Sequence, residues 1–504
     1  MFFVLYSKLI GLDTICKSVI LYTGDYETYY TIYDRISNGD SLFTIFFDLT
    51  KDYCSYRWYP CWYIEPCIAV KFFGLNWKFH ILFRIIICIL CALFLYLFAR
   101  KVGSSYAFSS LFSGLVLFGT KNDMAYCLPS RDIVALLITS IMLFLLAKSI
   151  YDENIVNKVL FLVFFILTAF CKEAFTAQLP CYILLYIVLY RNKNKISIFE
   201  TFKRQKNELL FLTAFILGIF FFIVYNYPLN GGNFGGGIQF NFSELLHSLF
   251  QVIYIHKAII LVVLISLIVS LVSNKKKKKE ILIYTSGIAI SCLIFFIIHS
   301  KRAYVPRYTL TLFLPLAFSI CVLYNSLVKN RFFRFCIFAL AFVCCLHYSI
   351  DGVDYAKKDI ECIRNHQNCF ETLLEIANVD DVIWFEMGSF GERNTDIAYQ
   401  RIAEYFGYKK GYIQYANQLI DVYEYRESPI TAIPNGWYTG STSNTPESMV
   451  YNFYGYHPDC CNLKAISDAD VIVTTTDYVS NSFDLSMYTA KEVGEFVIYK
   501  KTSY

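Results

Sequence analysis

The chain has 504 residues, 56% of them hydrophobic, 18% aromatic and only 17% charged, with a mean hydropathy of +0.45. Soluble domains carry about 25% charged residues, so this deficit places the chain in the membrane class and excludes a purely soluble enzyme, while 41 Tyr and 47 Phe exclude a disordered chain. The net charge of +5 is too modest to point to nucleic acid, and its distribution along the chain matters more than its sum.

Residues 1–22 are expected to form a first span with a cytoplasmic N-terminus, although Lys8, Asp13 and Lys17 interrupt it and each charge at membrane depth costs about 2.5 to 3.5 kcal/mol. Residues 24–78 then form a first outer loop rich in aromatic and charged groups. Apolar runs follow near 79–99, 106–120, 133–149, 158–171, 177–190, 209–225, 255–273, 281–298, 309–327 and 335–350. A bilayer is crossed by about 20 apolar residues, so these runs and the first one predict about ten or eleven spans, several of them short.

Lys and Arg in short connections stay on the cytoplasmic side. The basic connections are Arg100 with Lys101, Lys148 to Lys158, Arg191 to Lys206, Lys275 to Lys279 and Lys329 to Arg334. They alternate without a break with connections at 121–132, at Lys172 with Glu173, at 226–250 and at 299–308, and with the segment after 351. The five-lysine run is an orientation marker facing anionic lipid.

Residues 351–504 change to a polar, mixed composition. Strand-like runs at Asp381 to Phe385, Val471 to Thr475 and Glu495 to Lys500 alternate with a helical pattern at Ile397 to Phe406, which predicts a small α/β domain outside the membrane. The expected architecture is therefore mainly α: a polytopic helical membrane bundle over 1–350 with a C-terminal extracytoplasmic α/β domain over 351–504. Of the 18 cysteines, Cys54, Cys61, Cys67, Cys362 and Cys369 fall on the outer side, where disulfides can form.

Three outer clusters can carry chemistry, since ionisable groups near lipid are expensive. The first is Gly24-Asp25-Tyr26-Glu27-Thr28-Tyr29-Tyr30, with Asp34 and Arg35, then Arg57-Trp58-Tyr59-Pro60 and Glu65-Pro66. A carboxylate there can take or orient the proton of an attacking hydroxyl; the bland reading is a solvated loop charge. The second is Lys121, Asp123, Arg131 and Asp132, where Asp132 opens a helix and can equally be ordinary dipole complementation. The third gathers Lys172, Glu173, His299, Lys301, Arg302, Arg307 and Tyr308. Basic groups on the face that should be poor in positive charge are explained by an anionic substrate, and Arg suits phosphate through its paired planar donors; lipid headgroups are the alternative.

Other motifs carry less. Gly231 to Gly237 lacks the strand and terminal Lys-Ser/Thr of a phosphate-cradling loop, and no Cys/His pattern reads as a metal site. The aromatic residues Trp58, Trp62 and Tyr63 fit an interfacial belt or a sugar-lined wall.

The order of certain strings resembles the GT-C polytopic glycosyltransferases, the bacterial relatives of the dolichyl-phosphate-mannose protein mannosyltransferases and of the aminoarabinose lipid A transferase. These strings are Tyr59-Pro60, Phe73-Gly74, Phe83-Arg84, Leu97 to Gly103, Ser130-Arg131-Asp132, Leu167 to Glu173, Leu179-Pro180, and Arg307-Tyr308 leading into Leu314-Pro315. The likeness covers roughly residues 20 to 350. It implies transfer of a sugar, with inversion, from a polyprenyl-phosphate or diphosphate carrier to a glycan, lipid or protein acceptor on the outer face of a bacterial cytoplasmic membrane. It further implies Asp25 as base or acceptor-positioning group with Glu27 beside it, Lys172, Arg302, Arg307 and Tyr308 at the lipid phosphate, and Asp132 with Arg131 behind them. The expected partners are the lipid-linked sugar, the acceptor and the bilayer; no nucleic acid and no cofactor are expected, and a divalent-metal requirement is left open. A transporter or flippase for lipid-linked glycans, and a non-catalytic assembly protein, are the alternatives.

Overall fold

The computed structural model describes residues 26–54, 59–75, 77–118, 132–226, 242–273, 285–293, 310–326, 331–378, 381, 383–385, 470–475, 485–494 and 496–502. The first span expected at 1–22 and the helical pattern at Ile397 to Phe406 lie outside the described residues.

The segment read as a first outer loop is largely helical. Helix α1 (Tyr26–Ser37) and α2 (Leu42–Cys54) are followed by a 3-10 turn (Pro60–Tyr63) and α3 (Ile64–Phe73). In α1, Tyr29 and Ile32 are buried three residues apart, the helical spacing that puts both on one face. Gly39, at φ +93°, turns the chain between α1 and α2, and Arg35 closes that turn by binding Asp40 at 2.7 Å and Asp48 at 2.8 Å. Cys54, Cys61 and Cys67 are all in the thiol form.

The bundle then runs α4 (Trp77–Lys101), α5 (Tyr106–Phe118), α6 (Asp132–Tyr151), α7 (Ile155–Cys171), the short α8 (Glu173–Thr176), α9 (Leu179–Asn194), α10 (Ile198–Arg204), α11 (Lys206–Asn226), α12 (Phe242–Ile255), α13 (Lys257–Ser273), α14 (Leu310–Ser326) and α15 (Arg331–Ile376). Over its described residues each apolar run from 79 to 350 is helical, apart from turns at 177–178 and 256; of the run at 281–298, residues 285–293 are described and are helical. Five stretches are long and apolar enough to cross a membrane: Leu82–Lys101, Asp132–Tyr151, Ala174–Asn194, Lys206–Ile223 and Arg331–Asp354. Four more apolar helices are shorter, Tyr106–Leu117, Ile155–Cys171, Lys257–Val272 and Phe313–Asn325, so the described residues contain fewer full-length spans than the ten or eleven expected.

Aromatic packing fills the centre. Phe98, Phe112 and Phe318 from α4, α5 and α14 meet with centroids 5.9 to 6.2 Å apart, and Phe108 stacks on Tyr324 at 3.7 Å. The outer surface is apolar too: Ile86, Ile89 and Leu93 on α4, Leu217 and Phe221 on α11, and Phe342, Val343 and Leu346 on α15 are all exposed. Apolar patches on this scale mark a surface made for something other than water.

Ion pairs tie the basic connections together at one end of the bundle. Lys101 pairs with Asp152, Lys193 with Glu153 at 2.6 Å and Lys158 with Glu208 at 3.3 Å. Ser104 hydrogen-bonds Asn325, and Arg334 lies over the Tyr324 ring at 4.4 Å. The start of α6 and the end of α7 are at the opposite end.

Helix α15 has 46 residues, about 69 Å at 1.5 Å per residue. It passes without interruption through residues 350 and 351, where the composition changes, and carries its polar half onto a four-stranded sheet of order β1-β2-β4-β3. The strands are β1 (Ile383–Phe385), β2 (Val471–Thr475), β3 (Tyr488–Val493) and β4 (Phe496–Lys501). β1 and β2 are parallel, the rest antiparallel, and Gly494 at φ +60° turns β3 into β4. Val471, Ile472, Val473, Phe496, Val497 and Ile498 are buried. Lys491 reaches Glu375 of α15 at 3.7 Å, and Lys500 pairs with Asp381.

Candidate functional site

Two ionic clusters are buried at the bundle end opposite the basic connections. In the first, Lys172 Nζ lies 2.8 Å from Asp132 Oδ1, with both side chains almost fully buried. Local structure fixes both groups. Asp132 occupies the first turn of α6, and Lys172 is an extended residue, φ −172° and ψ 149°, where α7 stops. The Lys172 carbonyl accepts from the backbone N–H of Phe175 and Thr176, and the Thr176 hydroxyl donates back to Ala169 O at 2.8 Å. The break between α7 and α8 is thereby satisfied, which a chain interruption in apolar surroundings requires. The ammonium also sits 5.6 Å from the centre of the Tyr59 ring, a cation–π contact, and Tyr59 meets Trp62 edge-on at 4.5 Å.

The second cluster joins α1, α3 and α4. Tyr29 Oη donates to Glu65 Oε2 at 2.9 Å, and Arg84 Nη2 reaches the same oxygen at 3.3 Å; the side chains of Glu65 and Arg84 are 1% and 3% exposed. His80, one turn before Arg84, hydrogen-bonds Gly74 O at 2.8 Å through Nε2 and meets the Tyr29 ring edge-on at 5.2 Å. Burial pushes the His80 imidazole below its ordinary pKa, against opposing pulls from the Gly74 carbonyl and the Glu65 charge. Gly74, at φ +55°, makes the turn that brings α3 and α4 together.

The two clusters are linked through the 3-10 turn, which contributes Cys61 and leads directly into α3 and Glu65. The thiol of Cys171, the residue before Lys172, hydrogen-bonds Cys61 and draws the Cys61 thiol below its ordinary pKa.

Among the residues singled out from sequence, Lys172 and Asp132 belong to separate connections, 40 positions apart, and the fold brings them into direct contact. Glu27 lies in the first turn of α1, two residues before Tyr29. Asp25, Arg131, Arg302, Arg307 and Tyr308 lie outside the described residues. Arg35 is taken up by Asp40 and Asp48 and serves the α1–α2 turn. Sequence reasoning groups Tyr29 with Glu65 in the first outer cluster, and the structure joins them; it does not add Arg84, whose available signal is an ionisable group inside an apolar run, where such a residue is a functional candidate by default. Among the described residues no group of His, Cys, Asp and Glu could hold a metal ion. Comparison of the chain with protein-family models, curated proteins and solved structures finds no match.

Proposed function

We propose that this chain is an integral membrane glycosyltransferase that moves a sugar from a polyprenyl-phosphate carrier to an acceptor at the outer face of the membrane. The observation that carries the reading is the Lys172–Asp132 pair: a cation and its counter-ion held nearly free of water at the end of the bundle opposite the basic connections. The apolar exposed flanks of α4, α11 and α15 are the lipid-facing surfaces in this reading, and the paired basic end is cytoplasmic. Exposed Phe43, Phe47 and Phe72 on α2 and α3 suit a membrane interface.

The chemistry then needs no nucleotide. The acceptor hydroxyl attacks the sugar C1, the C1–O bond to phosphate breaks, and the proton passes to Asp25 or Glu27, a contribution of roughly 100-fold to 10,000-fold. The negative charge gathering on the departing phosphate is met by Lys172, oriented by Asp132; the resemblance assigns Arg302, Arg307 and Tyr308 to the same phosphate, with Arg131 in support. Preorganised cations in a dry site are worth far more than the same groups in water.

One observation favours a second reading, transport of a lipid-linked glycan: helices interrupted at a charged residue, as α7 is at Lys172, are a transporter device. The interruption follows a complete 17-residue helix, about 25 Å of rise, which puts it at the bundle end rather than at mid-depth. The deciding experiment uses wild type and Asp25→Asn in proteoliposomes with a pool of polyprenyl-phosphate sugars, reading release of free polyprenyl phosphate by mass spectrometry. Release by wild type and not by the variant is expected. Carrier that crosses the bilayer with its sugar still attached would replace the transferase with the transporter.

A further inference from the structure

Just past the broken helix, Gln178 is fully buried, and neither its amide oxygen nor its amide nitrogen has a hydrogen-bond partner among the described residues. One turn on, Tyr182 is equally buried and its hydroxyl also has none among them. Gln178 is the residue immediately before α9 and already has helical geometry, φ −85° and ψ −16°. It therefore stands at i to Tyr182 at i+4, on the same helix face. Both fall in the first half of the apolar stretch Ala174–Asn194, Gln178 about 6 Å along the helix from its start. A side-chain amide has four hydrogen-bonding positions and a phenol up to three, and leaving such groups unmade in an apolar interior is unfavourable. Other buried polar groups nearby are spent: Thr139, Ser140 and Thr176 donate to backbone carbonyls close to them in the chain, and Lys172 binds Asp132. The amide and the phenol keep their capacity for a ligand.

We infer that Gln178 and Tyr182 form a polar subsite for a neutral, hydroxyl-bearing group, the sugar ring of the carrier-linked substrate. The inference rests on the glycosyl-transfer reading and deepens it by separating two jobs: Lys172 faces the phosphate, while an uncharged donor and acceptor pair six and ten residues further on faces the sugar. An amide that both donates and accepts, beside a phenol that does the same, matches vicinal hydroxyls and not a phosphate oxygen, which can only accept.

The test measures binding to the full chain in nanodiscs, using two probes: bare polyprenyl phosphate and polyprenyl phosphate carrying a hexose, taken from a panel of hexoses. Wild type is expected to prefer one sugar-bearing carrier over the bare carrier by at least about tenfold, the worth of one to two hydrogen bonds to a neutral partner. Gln178→Leu abolishes that preference and keeps the affinity for bare carrier; Tyr182→Phe, which removes a single oxygen, lowers the preference severalfold. Without ligand, Gln178→Leu melts at the same temperature as wild type or higher, because it removes unmade hydrogen bonds. A wild type that binds bare and sugar-bearing carrier equally overturns the subsite and leaves the transferase standing. So do variants that keep the preference, or a Gln178→Leu protein that melts lower, which marks the amide as a structural group. A wild type that binds neither carrier overturns both readings.

Discussion

The two ends of the bundle use the same chemistry, cation against carboxylate, in opposite ways. At the basic end, Lys101–Asp152, Lys193–Glu153 and Lys158–Glu208 keep between a fifth and two thirds of each side chain in water. Such pairs contribute little to stability, because water screens them and holding long side chains still costs entropy. At the other end, Lys172–Asp132 and Arg84–Glu65 keep only a few per cent exposed. A buried pair adds little net stability over a well-packed apolar replacement, yet breaking it by removing one partner costs about 3 to 5 kcal/mol, because an uncompensated charge stays behind. In the proposed reading, charge at the basic end sets which way the chain lies, while charge at the other end sits where an apolar core would have served stability as well.

The sharpest way to break this comparison is to remove Lys172 alone. Lys172→Met leaves Asp132 buried without its ammonium and is expected to destabilise the protein by about 3 to 5 kcal/mol and to stop release of polyprenyl phosphate. The double variant Lys172→Met with Asp132→Leu restores most of the melting temperature in detergent while leaving release abolished. If the double variant regains release together with stability, the pair is scaffolding and not part of the site.

A smaller effect is expected at Tyr29. Tyr29→Phe leaves Glu65 and Arg84 paired and deletes the hydroxyl that donates to Glu65 and touches Arg84, a loss of at least about 1.5 to 3 kcal/mol for the bond to the charged acceptor. Because Tyr29 is the link from α1 to that pair, and α1 bears Glu27 in its first turn, turnover should fall more than carrier affinity. Equal losses in kcat and affinity would argue against α1 as the element that positions Glu27 for the proposed proton transfer.

Much of the bundle is legible in the amino-acid sequence. The apolar runs mark the helices within a few residues, because a stretch of 15 to 25 apolar residues has few other ways to satisfy its backbone, and the strands at Val471 and Phe496 stand out as buried β-branched and aromatic runs. The helices α1, α2 and α3 do not. They are short and rich in Tyr and Phe, residues of middling helix propensity, and they pack chiefly on one another and on the 3-10 turn, a mutual fit that no single segment announces. β3 escapes for the same reason: its residues Tyr488–Val493 are mostly exposed and it exists by pairing with β4. At the site, Lys172 and Asp132 can each be picked out as charges at helix ends, but their contact depends on α6 and α7 packing side by side. Gln178 leaves no trace at all, since an amide between a helix break and a proline looks like any loop residue until its burial is known.

His80 tests the buried end by pH. Its imidazole titrates lower in the folded protein than its ordinary 6.5 because burial disfavours the charged form. The unfolded chain therefore binds more protons in the window below 6.5, and stability is fully present above that pH and lost as pH falls toward the depressed value. Thermal unfolding between pH 7.5 and 5 should show this loss in wild type and a flatter profile in His80→Gln, whose amide can still donate to Gly74 O. A wild-type profile as flat as the variant's would mean that water reaches the cluster.

The smallest effect is expected at the basic end, and its smallness is the point. Lys101→Gln or Asp152→Asn should change stability by no more than about 1 kcal/mol and, on the proposed function, leave release of carrier untouched, since both residues lie at the bundle end opposite Lys172 and Asp132. Charge there acts collectively. Replacing Lys101, Lys148, Lys158 and Lys193 together with Gln removes the asymmetry that, in the proposed orientation, holds these connections on the cytoplasmic side. A cysteine placed at residue 195, where α9 ends, should then become accessible to an impermeant maleimide from outside intact cells. Labelling that is unchanged by the fourfold variant would show that orientation is fixed elsewhere in the chain, with the run Lys275 to Lys279 the next to remove.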